Sequence, residues 1–253
     1  MKNANDIRIA VLIDADNIPH SNIKGMMEEI AKYGTPTFKR IYGDWTKPNL
    51  GGWKGLLLEN AITPIQQYSY TVGKNSSDSA MIIDAMDILY TEKVDGFCIV
   101  SSDSDFTRLA TRLRETGMMV IGMGQKKTPS PFIVACDKFI YLEILKGAPK
   151  PRIETGKDRD KKETKVESET LQKVDDATIN LISSTITDLA DDSGWAFLGE
   201  IGSLILKKQP DFDPRNFGFG KLAPLIRSIG KFEIDERESD KKRGKLIYVR
   251  LKG

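Results

Sequence analysis

An α/β fold built on a parallel sheet, followed by a small winged helix-turn-helix, is what the 253-residue sequence predicts. Three observations carry that prediction. Between Ile7 and Leu142, short Val- and Ile-rich runs alternate with helical patterns, the pattern of βα units around a parallel sheet. From Lys150 to Glu169 the apolar residues almost vanish. Beyond Asp175, three short helical patterns give way to two segments that alternate with period two.

In chain order, strands are expected near 7–13, 36–43, 62–67, 96–101, 118–123 and 138–142, with helices over 20–33, 52–60, 77–91, 105–116 and 131–136. The run Ser77–Tyr90 shows the helical reasoning: a capping serine, an acid in the first turn, and good helix formers after it. Six such strands with their helices make a sandwich of ordinary domain size, with helices on both faces of the sheet. The stretch 150–169 carries seven basic and six acidic residues. It lacks the apolar surface to fold and reads as a flexible linker. Helices are then expected over Ala177–Ala190, Phe197–Lys207 and Phe219–Ile229. Strands from Lys231 and from Lys245 follow, joined by the basic turn Asp240–Gly244. The expected domains are 1–148 and 173–253, separated by a linker at 149–172.

Composition bounds the function. Forty per cent hydrophobic and 29 per cent charged residues are ordinary for a globular chain, and no apolar run reaches the length of a membrane span. The N-terminus is polar and leads directly into a strand, so no signal peptide is expected. Cys98 and Cys136 are too far apart and too few for a zinc site or a disulfide framework, which points to a reducing cytoplasm. A net charge of +2 implies no partner by itself. The single histidine, His20, argues against histidine-based catalysis, and a surface position is expected for it.

The chemistry sits at two strand ends. Ile9-Ala-Val-Leu-Ile-Asp-Ala-Asp-Asn17 and Ile99-Val-Ser-Ser-Asp-Ser-Asp-Phe106 are apolar runs that break into carboxylates. Ligands of such sheets bind beyond the carboxyl ends of the strands, and in the strand order 3-2-1-4-5 the first and fourth strands are neighbours. Asp14 and Asp103 would then face each other, with Asp105 opening the next helix and Asp78 leaning in from the helix before. Like charges about 4 Å apart repel by roughly 4 kcal/mol at an effective dielectric near 20, and a divalent cation relieves that repulsion. All-oxygen ligands favour Mg²⁺ or Mn²⁺. Asn17, Ser102 and Asp84 are supporting candidates, although a solvated helix face also accounts for Asp84. Asp16 and Asp105 can equally serve as helix caps. Lys74 is a candidate phosphate contact, as are Lys241, Lys242 and Arg243 in the basic turn; plain solvation is the alternative for each. Tyr42, Trp45 and Trp53 are expected in the core rather than stacking on bases.

The segments Leu12-Ile-Asp-Ala-Asp-Asn-Ile-Pro19, Gly73-Lys-Asn-Ser-Ser-Asp78, Ile83-Asp-Ala-Met-Asp87 and Val100-Ser-Ser-Asp-Ser-Asp-Phe106 resemble the NYN domain, a PIN-like, Rossmannoid nuclease fold, of the LabA-like bacterial type. The resemblance extends through Gly122-Met-Gly and Pro131-Phe-Ile-Val-Ala-Cys136. Phe217-Gly-Phe-Gly-Lys-Leu222 and Phe232-Glu-Ile-Asp-Glu236 resemble the OST-HTH or LOTUS domain. The resemblance implies a metal-dependent ribonuclease with an attached RNA-binding module. Asp14, Asn17, Asp78, Asp103 and Asp105 match its acidic motifs, and cleavage by water would leave 5′-phosphate and 3′-hydroxyl ends. The implied partner is single-stranded or structured RNA, and the LOTUS-like part binds RNA or docks a protein. Two alternatives stay open: a non-catalytic RNA-binding regulator, and a metal-dependent phosphatase acting on small phosphoesters.

Overall fold

The computed structural model describes residues 7–68, 76–91, 93–146, 172–238 and 245–252. Lys74, Lys241, Lys242, Arg243 and residues 149–171 of the expected linker lie outside them. The chain divides into two compact units, Met1–Ala148 and Pro149–Gly253.

The first unit is a six-stranded sheet: β1 (Arg8–Asp14), β2 (Thr35–Gly43), β3 (Thr63–Gln66), β4 (Gly96–Val100), β5 (Met119–Gly124) and β6 (Lys138–Tyr141). The order is β3-β2-β1-β4-β5-β6 and every pairing is parallel. The chain winds outward from β1 in one direction, then returns to build on its other side. The switch point therefore falls between β1 and β4, as the expected strand order required, with β6 added at the far edge.

Helices α1 (Ile23–Ile30) and α2 (Lys54–Glu59) cover one face; α3 (Ser76–Tyr90), α4 (Thr107–Glu115) and α5 (Ser130–Val134) cover the other. This explains why β1 reads as a continuous apolar run rather than an alternating one: both of its faces are buried. Ala10 and Leu12 pack with Tyr42, Met81, Ala85 and Leu109 on the α3 side. Ile9, Val11 and Ile13 pack with Ile23, Met26 and Trp53 on the other. Tyr42 and Trp53 are thus core residues. Trp45 is half-buried, its indole N–H donating to the Ile65 carbonyl at 3.1 Å. The structure is PIN-like: a parallel α/β sheet clothed by helices on both faces.

The second unit contains α6 (Asp176–Leu189), β7 (Ala196–Phe197), α7 (Leu198–Lys208), α8 (Leu222–Ile229), β8 (Phe232–Glu238) and β9 (Lys245–Leu251). Its three strands run antiparallel in the order β7-β9-β8, which makes it a winged helix with its own core of Ile182, Ile201, Ile205, Leu225, Ile226 and Val249. Asp175 caps α6 by accepting the Thr178 N–H at 2.8 Å. α8 begins three residues later than the periodicity predicts. Gly218, left-handed at φ 83°, ends the short helical turn Pro214–Phe217, to which the Phe219 N–H still donates, and the extended Lys221 then opens α8. Among the described residues no helix is long and apolar enough to cross a membrane.

Candidate metal and active site

The carboxyl ends of β1 and β4 converge on one acidic crevice. Asp14 is the last residue of β1 and is only 1% exposed. Such burial is tolerable because donors surround it. The Asn17 amide (2.7 Å) and the Ser101 hydroxyl (2.8 Å) donate to Oδ2, and the Asp16 N–H (3.1 Å) donates to Oδ1. Burial still dominates and holds its pKa above the ordinary value, against the lowering effect of those three hydrogen bonds.

β4 ends at Val100, so Asp103 stands three residues beyond the strand rather than closing it. Ser101 and Ser102 fill the gap with specific contacts. Ser101 donates to Asp14 and accepts the Asp103 N–H at 3.1 Å, coupling the two acidic strand ends through one hydroxyl. Ser102 accepts the Gln125 N–H at 2.9 Å and ties this loop to the one after β5. Asp103 then accepts the Asp105 N–H at 2.9 Å and caps the short helical turn Ser104–Phe106 that leads into α4.

Asp78, in the first turn of α3, completes the group at 9% exposure. One carboxylate oxygen from each of Asp78, Asp103 and Asp105 lies within 4.8 Å of the others. Burial first, and then the charges of Asp14, Asp103, Asp105 and Asp16, push the Asp78 carboxyl up to about 6. Three hard oxygen donors that repel one another suit a divalent cation. Asp14 stands outside that trio, committed to its three donors, yet its charge weighs on Asp78 more than that of Asp103 or Asp105.

Asp84 takes a different place from either expectation. It is neither a solvated helix residue nor part of the cluster: it accepts from the Arg40 guanidinium and the Tyr42 hydroxyl, both on β2. Six residues along α3 carry it about 9 Å from Asp78, which puts it over the neighbouring strand. Tyr42 lies beside Asp14 in the sheet register, so this pairing fastens α3 next to the crevice. Two further residues were not expected. Ser101 shares strand parity with Ile99, which packs on the α3 side with Leu12; period-two counting selects it over Ser102 as the residue facing Asp14. Asp44, just past β2 and 6% exposed, accepts from the Thr46 hydroxyl and the Gln66 amide and holds the loop there. His20 is exposed and meets the Trp53 ring edge-on.

A family model described as the NYN domain matches residues 8–143, and one described as the OST-HTH/LOTUS domain matches residues 169–243. No curated protein matches the chain. Similar solved structures include a protein of unknown function from Vibrio parahaemolyticus (19% identity, 55% of this chain and 94% of that one, TM-score 0.46). An uncharacterized protein from Nitrosomonas europaea is 30% identical over 40% of this chain and 93% of its own, with a TM-score of 0.30. A fragment from Chromobacterium violaceum is 35% identical over 28% of this chain and 76% of its own, with a TM-score of 0.25. With more than half of its length matched by one model, the chain belongs to the NYN-domain family of the PIN-like nuclease superfamily and carries a C-terminal OST-HTH/LOTUS domain.

Proposed function

We propose that the protein is a metal-dependent ribonuclease, its catalytic unit spanning residues 1–148 and its RNA-binding unit residues 173–253. The observation that carries this reading is the convergence of Asp78, Asp103 and Asp105 at the carboxyl ends of the strands, within 4.8 Å of one another. These three residues would hold a Mg²⁺ or Mn²⁺ ion, which when bound would lower the pKa of a water and neutralise charge on the phosphate. Asp14, kept in place by Asn17 and Ser101, adds the negative field that draws the cation into the crevice. Hydrolysis leaves 5′-phosphate and 3′-hydroxyl ends. The LOTUS domain retains the RNA, and Lys74, Lys241, Lys242 and Arg243 supply phosphate contacts. A cytoplasmic location fits this role.

The test uses end-labelled RNA with Mn²⁺, Mg²⁺ or EDTA. Cleavage is expected only with metal. Asp103→Asn is expected to reduce it by about 100-fold or more, since even outer partners of metal ligands cost 10–100-fold. Cleavage in EDTA, or an Asp103→Asn variant as active as the parent, would overturn the assignment.

A further inference from the structure

We propose that unpaired RNA crosses the carboxyl-end edge of the sheet at right angles to the strands. Its phosphates are gripped by Arg108 and Lys127 on the β5 side of the acidic crevice and by Lys47 on the β2 side. The proposal rests on reading the crevice as the nuclease centre and adds the residues that position the substrate there.

The first unit has five arginines. Four are paired: Arg8 with Asp95, Arg40 with Asp84, Arg112 with Glu115 and Arg114 with Asp137. Arg108 makes no ion pair with any described residue and is exposed in the first turn of α4, three residues after Asp105. A cation there opposes the helix dipole, so the helix itself gives no reason for it, whereas an approaching phosphate does. Lys127 is exposed in the loop after β5 and likewise pairs with no described carboxylate. That loop is fixed: the Gln125 N–H donates to Ser102 at 2.9 Å, and the Thr128 N–H and hydroxyl return to the Gln125 carbonyl at 2.9 and 2.6 Å. Lys47, exposed and also unpaired among the described residues, sits in the loop after β2, where its N–H donates to the Asp44 carbonyl at 3.0 Å.

Strand order turns these placements into a track. β2, β1, β4 and β5 lie side by side, so strands β2 and β5, whose ends carry the two basic flanks, are about 14 Å apart, three inter-strand steps, with the acidic crevice between them. A phosphodiester chain centred on the carboxylates needs cations for its neighbouring phosphates, and this edge offers them on either side. Beyond β2, Tyr68 follows the end of β3 and is 53% exposed. An exposed aromatic there stacks on a base only when that base is unpaired, which favours single-stranded over duplex RNA.

The test is photocrosslinking of the full chain in Mg²⁺, with Asp103→Asn present to keep the RNA intact. The probe is a short unpaired RNA carrying 4-thiouridine at one of several positions. Adducts are expected near 47 and 68 from one end of the RNA and near 125–128 from the other. In parallel, Arg108→Ala with Lys127→Ala, and separately Lys47→Ala, are expected to flatten the salt dependence of binding by about 0.7 in log–log slope per lost phosphate contact. Adducts confined to residues 172–252, unchanged slopes, or equal crosslinking to a duplex of the same sequence would overturn the proposal. Adducts and slopes as expected, with no metal supporting cleavage by the parent chain, would uphold the track and overturn the nuclease reading. Metal-dependent cleavage with unchanged slopes would do the reverse.

Discussion

Ser101 does three jobs with one hydroxyl: it donates to Asp14, accepts from Asp103 and fills the space where β4 leaves the sheet. Ser101→Ala removes a partner from two groups at once, one of them a buried carboxylate. A stability loss of about 1–3 kcal/mol is expected in urea unfolding, with metal affinity falling by roughly 10–100-fold in calorimetric titration. Asp78 makes the pH prediction. Its folded-state pKa, raised to about 6, exceeds the unfolded value near 3.8, so the folded state binds the proton more tightly. Metal-free protein therefore gains stability as pH falls from about 6 towards 4 and carries the full cost of the ionised group above that window. Asp78→Asn removes this cost. In EDTA at pH 7.5 the variant is expected to be about 1–3 kcal/mol more stable than the parent, the difference closing below pH 4 in thermal melts. With metal supplied the order reverses in function, and parent activity declines below pH about 6 as the proton competes for the ligand.

Elements, not residues alone, bring the acids together. β1 and β4 are adjacent because the chain reverses its direction of winding there, and that places Asp14 beside the Ser101–Asp105 loop. The loop has no slack against β5: a Cβ built on Gly124 would come within 2.5 Å of the Ser101 carbonyl oxygen, a backbone atom that cannot swing aside. Gly124→Ala is expected to cost about 1–3 kcal/mol and to depress cleavage together with stability, which a denaturant series and an RNA assay on the same preparation will show. α3 is fastened at a second point by Asp84 on Arg40 and Tyr42. Asp84→Ala leaves both partners without their acceptor, and a loss of about 1–3 kcal/mol is expected. Arg40→Ala should cost less, because Tyr42 then keeps its carboxylate; equal losses in the two variants would argue against the shared anchor.

At the scale of the whole molecule, each unit has its own apolar core, so residues 173–253 expressed alone are expected to unfold cooperatively in circular dichroism melts. Residues 1–148 alone are expected to keep metal-dependent cleavage with a raised KM, since retention of RNA is assigned to the other unit. Much of this architecture was legible from local signals. Apolar runs ending in Asp14 and before Asp103, turn residues between them, and the loss of apolar residues after Lys150 suffice to predict the strands, the helices and the change of fold class. These signals are short-range: periodicity, capping and composition act over a few residues and survive in a linear string. The acids were legible for the same reason, because a carboxylate at the end of a buried strand is costly without a task. What the linear string could not give were the partners of each acid. Asp84 looked like a solvated helix residue until α3 was laid over β2, and strand parity, which singles out Ser101 over Ser102, did not show that its hydroxyl bonds both Asp14 and the Asp103 N–H. Which oxygens fall within reach of one cation, and which carboxylates are instead neutralised by arginine or serine, depends on contacts between residues tens of positions apart. Local order along the chain sets the elements and the chemistry of their ends, and the partners of each acid come from the folded arrangement, because hydrogen bonds and Coulomb interactions depend on distance in space and not on distance along the chain.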